Sequence, residues 1–132
     1  MGRVVEAVDT QLERVVALKQ SIDEHPDARA RFEREVAIVK LRVPGVPERL
    51  AAQAAAFVQG LRGLDLAKPP GVAETIDWAQ ALAALGRREL DATTVEETLG
   101  SVLKYHEDFA AVRDEALVAL VEEARTVAAA GA

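Results

Sequence analysis

The sequence predicts an all-α protein, a small bundle of about five helices with a long one at its C-terminal end. Three observations predict it. Apolar residues recur at spacings of three and four along nearly the whole chain, which places them on one stripe of a helix. No segment alternates polar and apolar at every second residue, and no Asn-Gly or Asp-Gly hairpin signal occurs. Half of the residues are hydrophobic but only 4% are aromatic, so the interior must be filled by Ala, Val and Leu, which suits closely approaching helices.

The first stripe runs through Val4, Val8, Leu12, Val15, Leu18 and Ile22. It should end at His25, because Pro26 disfavours helical backbone in the residue before it. Asp27 then suits an N-cap for a second helix carrying Phe32, Val36, Ile38 and Val39, closed by Pro44 and Gly45. Pro47 is placed to take the first helical position of a third helix, whose stripe is Leu50, Ala54, Phe57, Val58 and Leu61, with Gly60 and Gly63 loosening its end. Lys-Pro-Pro-Gly at 68–71 forms the next loop. A fourth helix, GVAETIDWAQALAAL, turns Ala79, Leu82 and Ala83 toward a core and stops at Gly86 as C-cap. Thr93 and Glu96 have the spacing of a capping box. Beyond them Val95, Leu99, Val102, His106 and Phe109, then Leu117, Leu120, Ala124 and Val127, predict one long last helix with a break near Asp108 and a loosely held alanine-rich end.

The 132 residues carry 16 basic and 22 acidic side chains for a net charge of −6. Phosphate backbones need a basic surface, so nucleic acid is not an expected partner. With no cysteine, disulfides and thiolate metal sites are excluded, and a reducing compartment is weakly favoured. The start has no charged-then-apolar leader pattern, and no apolar run approaches the roughly 18 residues that a membrane span needs. A soluble cytoplasmic protein without a membrane partner is the expectation.

Motifs for self-sufficient chemistry are missing. A P-loop ends in Gly-Lys-Ser or Gly-Lys-Thr so that backbone N–H groups and the lysine hold phosphates, and no Gly-Lys pair occurs. His106-Glu107-Asp108-Phe109-Ala110 opens like a zinc-protease helix, but Ala110 stands where the second histidine belongs. With only His25 and His106, a multi-histidine metal site is unavailable, and His106 reads as a partly buried helix residue. Gly60-Leu61-Arg62-Gly63 matches the GXXG loop of KH domains, yet without strands it reads as a helix end. Ser21 and Ser101 have no neighbouring His-acid pair. No catalytic residue and no metal site are assigned.

Residues 68–82, KPPGVAETIDWAQAL, stand out because they hold the only tryptophan. Pro-Pro-Gly imposes an extended entry and then a turn, and the N–H groups of the helix after it point back toward that turn. Such a helix start suits a phosphate, with Lys68 nearby. In the plainer reading, Trp78 is the largest core residue and Glu74 and Asp77 complement the positive end of their own helix.

The runs EREVAIVKLRVPGVPERL, AFVQGLRGLDLAKPPGVAETIDWAQALAALG and ELDATTVEETLGSVLKYHEDF span about 80 residues, from Phe32 to Val112. They resemble the C-terminal helical lid of MoxR-type AAA+ ATPases, nearest to the group linked to maturation of aerobic carbon monoxide dehydrogenase. The resemblance implies a lid that packs on an α/β nucleotide-binding domain, closes over ATP between ring subunits and moves with hydrolysis. It also implies chaperone-like remodelling, often beside a von Willebrand A-domain partner. KPPGVAET would face nucleotide and the large domain, making Lys68 and Glu74 the cofactor-side residues and Trp78 an interface residue.

The chain departs from that family in two places. Glu74 stands where lids commonly carry the sensor-2 arginine, and a carboxylate cannot neutralise a γ-phosphate; Lys68 or the helix start would have to substitute, or the lid does not touch ATP. Upstream of Phe32, where the family has its P-loop, magnesium-binding acids and arginine finger, the chain has only MGRVVEAVDTQLERVVALKQSIDEHPDARARF. A replacement helix, a remnant of a larger gene and an engineered boundary all fit that segment. The chain is therefore expected to be non-catalytic alone, to bind ATP and magnesium only when an ATPase domain completes it, and to work by association with such a domain or a full-length homologue.

The expected division is 1–30 as a helix of unrecognised origin, 31–112 as the lid-like domain and 113–132 as a helical extension. A lid parted from its ATPase exposes an apolar face, and the first stripe, centred on Leu12 and Val15, is long enough to cover it in cis or by pairing two copies. The alternative function is a helical adaptor or dimerisation module, independent of nucleotide, with the long acidic last helix as its binding face, so that changes along Leu99–Val127 would matter most.

Overall fold

The computed structural model describes residues 26–131, and within them the fold is all-helical, with no strand among the described residues. The order is α1 (Pro26–Arg42), α2 (Glu48–Arg62), α3 (Val72–Ala84), α4 (Ala92–Thr98), a short 3-10 turn (Leu99–Ser101), α5 (His106–Ala111) and α6 (Glu115–Gly131). The expected bundle is present. Several boundaries fall elsewhere, each for an identifiable reason.

Asp27 lies inside α1 rather than capping it, since proline is tolerated in a first helical turn. The helix ends where Gly45 takes φ +85, a left-handed conformation that glycine adopts without strain. Pro47 is not the first residue of α2 but the one flanking it, extended at φ −58 and ψ 138, and its carbonyl accepts the Ala51 N–H at 3.0 Å.

Helix α2 is the centre of the molecule. Leu50, Ala51 and every residue from Gln53 to Leu61 are buried, because α1, α3 and α6 all pack on it. The alanines at 51, 54, 55 and 56 allow that approach from several sides, since interaxial distance follows side-chain size at the contact. Gln53 is the polar cost of burying this helix all round, and its Oε1 is satisfied by the buried Leu90 N–H at 2.7 Å.

Helix α3 stops as expected at Gly86, which sits at φ +77. The Gly86 N–H reaches Ala83 O at 2.9 Å and the Arg87 N–H reaches Leu82 O at 3.1 Å, the paired bonds of a Schellman stop. The connector after it is pinned rather than free. Leu90 is wholly buried, and its carbonyl accepts Arg125 Nη1 at 2.8 Å.

The capping box expected at Thr93 is not formed. Asp91 is the N-cap of α4, its Oδ1 accepting the Thr94 N–H at 2.8 Å. The long C-terminal helix is present as α6, Glu115–Gly131, but it does not run on from Thr93. The chain breaks at Leu99–Tyr105 and again at Val112–Asp114, with Asp108 inside the short α5. At the second break Asp114 takes φ 55, which aspartate tolerates better than most residues.

The core is one main cluster from Phe32 to Val127, joined by a small one of Val39, Val43, Ala51 and Ala79. Leu117, Leu120, Val121, Ala124 and Val127 of α6 belong to the main cluster, so α6 packs on the rest of the bundle. Toward its end Val127 and Ala128 are buried, and Ala129 and Ala130 are exposed. No helix among the described residues is long and apolar enough to cross a membrane.

Candidate functional site

The loop between α2 and α3 has the geometry that the sequence singled out without explaining. Leu64 and Leu66 are buried and anchor its first half in the core. Beyond Leu66 the chain turns outward, leaving Ala67, Lys68 and Pro69 exposed, and returns at the buried Pro70.

Two side chains, one from the helix before it and one from a distant helix, hold this excursion. Asp108 of α5 accepts the Ala67 N–H with Oδ1 at 2.7 Å and the Lys68 N–H with Oδ2 at 3.1 Å. Arg62, at the end of α2, donates from Nε to the Pro70 carbonyl at 2.8 Å and from Nη1 to Oε2 of Glu35 in α1 at 2.6 Å. A loop held only by side chains would ordinarily be mobile. Here the charged groups at both ends form charge-assisted bonds, the stronger kind, and Asp108 and Glu35 are themselves 3% and 4% exposed.

The start of α3 completes the site. Glu74 Oε1 accepts the Gly71 N–H at 2.8 Å, and Thr75 Oγ1 donates to the Gly71 carbonyl at 3.1 Å. The Glu74 carboxyl is held below its ordinary value chiefly by the Gly71 N–H, then by its own main-chain N–H, with smaller help from Lys68 and Lys104 and with burial opposing. Two lysines and a positive helix end thus surround a carboxylate that the chain itself supplies.

The residues singled out from sequence fall in different places. Lys68 is exposed and Glu74 half-buried, three residues from the loop whose N–H it caps. The carboxylate of Glu74 is committed to its own helix start, which is the plainer of its two readings.

Trp78 does not reach the surface. It is wholly buried, its ring centroid 5.3 Å from that of Phe57, and its Nε1–H donates to Thr98 Oγ1 at 2.8 Å. Its expected place at an interface is therefore corrected to the core: an indole needs both a large apolar cavity and a partner for its N–H, and the bundle provides both. Leu12 and Val15 lie outside the described residues.

His106, expected to be partly buried, is exposed on the first turn of α5. Within Leu99–Val127, where the adaptor reading puts its acidic binding face, the apolar residues Leu99, Val102, Leu117, Leu120, Ala124 and Val127 are turned inward. Arg62, Glu35 and Asp108, which build the loop, were not singled out from sequence.

No family model matches the chain, and no similar curated protein or solved structure is found. The class that the fold itself defines is a small all-α bundle with one rigidly presented loop.

Proposed function

We propose that this chain is a lid-type helical domain of the MoxR-like AAA+ kind, without catalysis of its own, that works by docking its 67–71 loop and the start of α3 against an ATPase core. The observation that carries this reading is the double clamp: Asp108 and Arg62 fix the loop while Lys68 and Pro69 stay exposed. Preorganised segments bind with less ordering cost than free ones. This one falls on KPPGVAET, the stretch that the sequence resemblance turns toward nucleotide and the large domain.

The geometry is in keeping with a division of roles. Lys68 is the cation free to approach a phosphate. Glu74 prepares the helix start by capping it, and Trp78 anchors α3 in the core beside Phe57. ATP and magnesium enter only with the partner domain, and the remodelling or metalloenzyme-maturation role belongs to the assembly, with a von Willebrand A-domain protein as a further candidate member.

The test is calorimetric titration of the purified chain with ATP and magnesium, alone and together with a full-length MoxR-type ATPase. A saturable response only in the mixture, lost with Lys68→Glu, supports docking. Absence of any response in the mixture, or one indifferent to Lys68→Glu, overturns the reading.

A further inference from the structure

Beside the Arg62 end of the clamp, three buried polar atoms are without a hydrogen-bond partner among the described residues: Arg62 Nη2, Glu35 Oε1 and Gln59 Nε2. Such atoms are rare in a packed interior, because a buried donor or acceptor left unmet costs more than an ordinary hydrogen bond contributes. These three are grouped. Glu35 Oε1 belongs to the carboxylate whose other oxygen receives Arg62 Nη1 at 2.6 Å, and Nη2 belongs to the same guanidinium, so the two atoms flank one bond. Gln59 stands three residues before Arg62 in α2, and residues so spaced are neighbours on one helix face.

We propose that these atoms hold one buried water molecule, which joins α1 to the Arg62 end of the clamp and makes Gln59 a positioning residue for it. The site stands apart from whatever the 67–71 loop docks against.

Chemistry selects the occupant. Two of the atoms are donors and one is an acceptor. A cation would be repelled by the guanidinium and an anion by the carboxylate, which leaves a neutral molecule able both to accept and to donate. Water accepts from Nη2 and Nε2 and donates to Oε1, three bonds in all, the usual number for a buried water.

Size agrees with chemistry. Glu35 and Gln59 are 4% and 7% exposed. Neither lines the groove that α1, α2 and α6 leave along one side of the bundle, so the space at the site is that between packed helices and not an open cleft.

Direct closure of the pair would disturb the clamp. Arginine and carboxylate often meet through two parallel bonds, which here would bring Nη2 onto Oε1. The guanidinium plane is already fixed by two other bonds, Nε to the Pro70 carbonyl at 2.8 Å and Nη1 to Glu35 Oε2. Turning Nη2 toward Oε1 strains the first of them. A bridging water satisfies both atoms and leaves the Pro70 bond in place.

The test is a crystal structure of the full chain at a resolution that places ordered water, joined to solution NMR with the arginine side chains labelled. The expected result is a water within hydrogen-bonding distance of all three atoms and a long-lived water cross-peak on the Arg62 guanidinium protons. Gln59→Met keeps a side chain of similar length but removes the donor. It should abolish that cross-peak and speed solvent exchange of the Arg62 Nε–H several-fold.

A direct bond from Nη2 to Oε1 with no water between them overturns the proposal, as does density for an ion at the site. An Arg62 Nε–H that exchanges at the same rate in Gln59→Met overturns the positioning role of Gln59. If that variant loses helicity, the crystal structure and cross-peak of the unaltered chain decide alone.

Discussion

The Asp108 carboxylate accepts the main-chain N–H of Ala67 at 2.7 Å across 41 residues of sequence, so the six residues of α5 are tied to the loop that follows α2. The same carboxylate holds the Lys68 N–H. Asp108→Ala leaves two main-chain donors without their acceptor, which costs about 1–3 kcal/mol where the donors stay shielded from water. Asp108→Asn keeps one acceptor and should fall between. Urea unfolding measures the loss, and hydrogen exchange locates it: the Ala67 and Lys68 amides should lose protection in Asp108→Ala while those of α2 keep theirs. Uniform loss across the bundle would show that Asp108 supports the whole fold and not the loop.

The Arg62–Glu35 pair makes a sharper case because its carboxylate is buried and its guanidinium partly so, with side-chain exposures of 5% and 23%. Removing one member of a buried pair strands the other charge, so Arg62→Met alone should destabilise by about 3 kcal/mol, and Glu35→Leu by a comparable amount. The double variant should recover most of the loss, since apolar residues of similar volume often replace such a pair at little cost. Denaturant unfolding of all four proteins closes the cycle. Additive losses would mean that Arg62 acts mainly through its bond to the Pro70 carbonyl.

The stripes of α1, α2 and α3 were legible in the sequence because burial there follows period. Phe32, Val39, Leu50, Phe57, Leu61 and Leu82 are in the core where spacing put them. Asp108 and Arg62 were not legible, because the meaning of each depends on a backbone group that only the tertiary fold brings near. The long last helix was legible and is present as α6, but its start was not: the apolar period before it continues through Gly100 and Asp114 while the backbone does not, and periodicity records which face is buried rather than whether the axis is straight. Asp91 and Thr93 are cap signals two residues apart, and the bond from the Thr94 N–H to Asp91 Oδ1 decides between them. Of the candidate site, KPPG was recognised as a loop, but its rigidity comes from side chains up to 41 residues away.

Trp78 is expected to report on the core and not on a ligand. Its emission should be shifted to the blue and little quenched by iodide, since the ring is wholly buried. Trp78→Ala should cost about 3–5 kcal/mol, in line with removing a large aromatic side chain from a packed interior. Trp78→Phe should cost less, roughly 1–2 kcal/mol, because the ring beside Phe57 is partly replaced and only the bond to Thr98 is lost. That hydroxyl keeps its own partner, the Thr94 carbonyl at 2.8 Å. Strong iodide quenching in the native chain would place Trp78 at the surface and contradict this account.

The two helix-start carboxylates predict an acid limb of stability. The Asp91 carboxyl is held below its ordinary value chiefly by the Thr94 N–H, and that of Glu74 chiefly by the Gly71 N–H. A group whose value is lower in the folded state binds its proton more readily when unfolded, so its contribution is complete above the unfolded value, near pH 4, and is lost as pH falls through the folded one. Stability should therefore be flat with respect to these two groups from pH 7 to about pH 5 and decline below. The double variant Glu74→Gln and Asp91→Asn retains an acceptor at each position, asparagine being as good an N-cap as aspartate, but removes both titrations. It should lose little at pH 7 and show a shallower decline in urea-unfolding stability between pH 5 and pH 3. An unchanged acid slope would assign the decline to other carboxylates and leave these caps energetically silent.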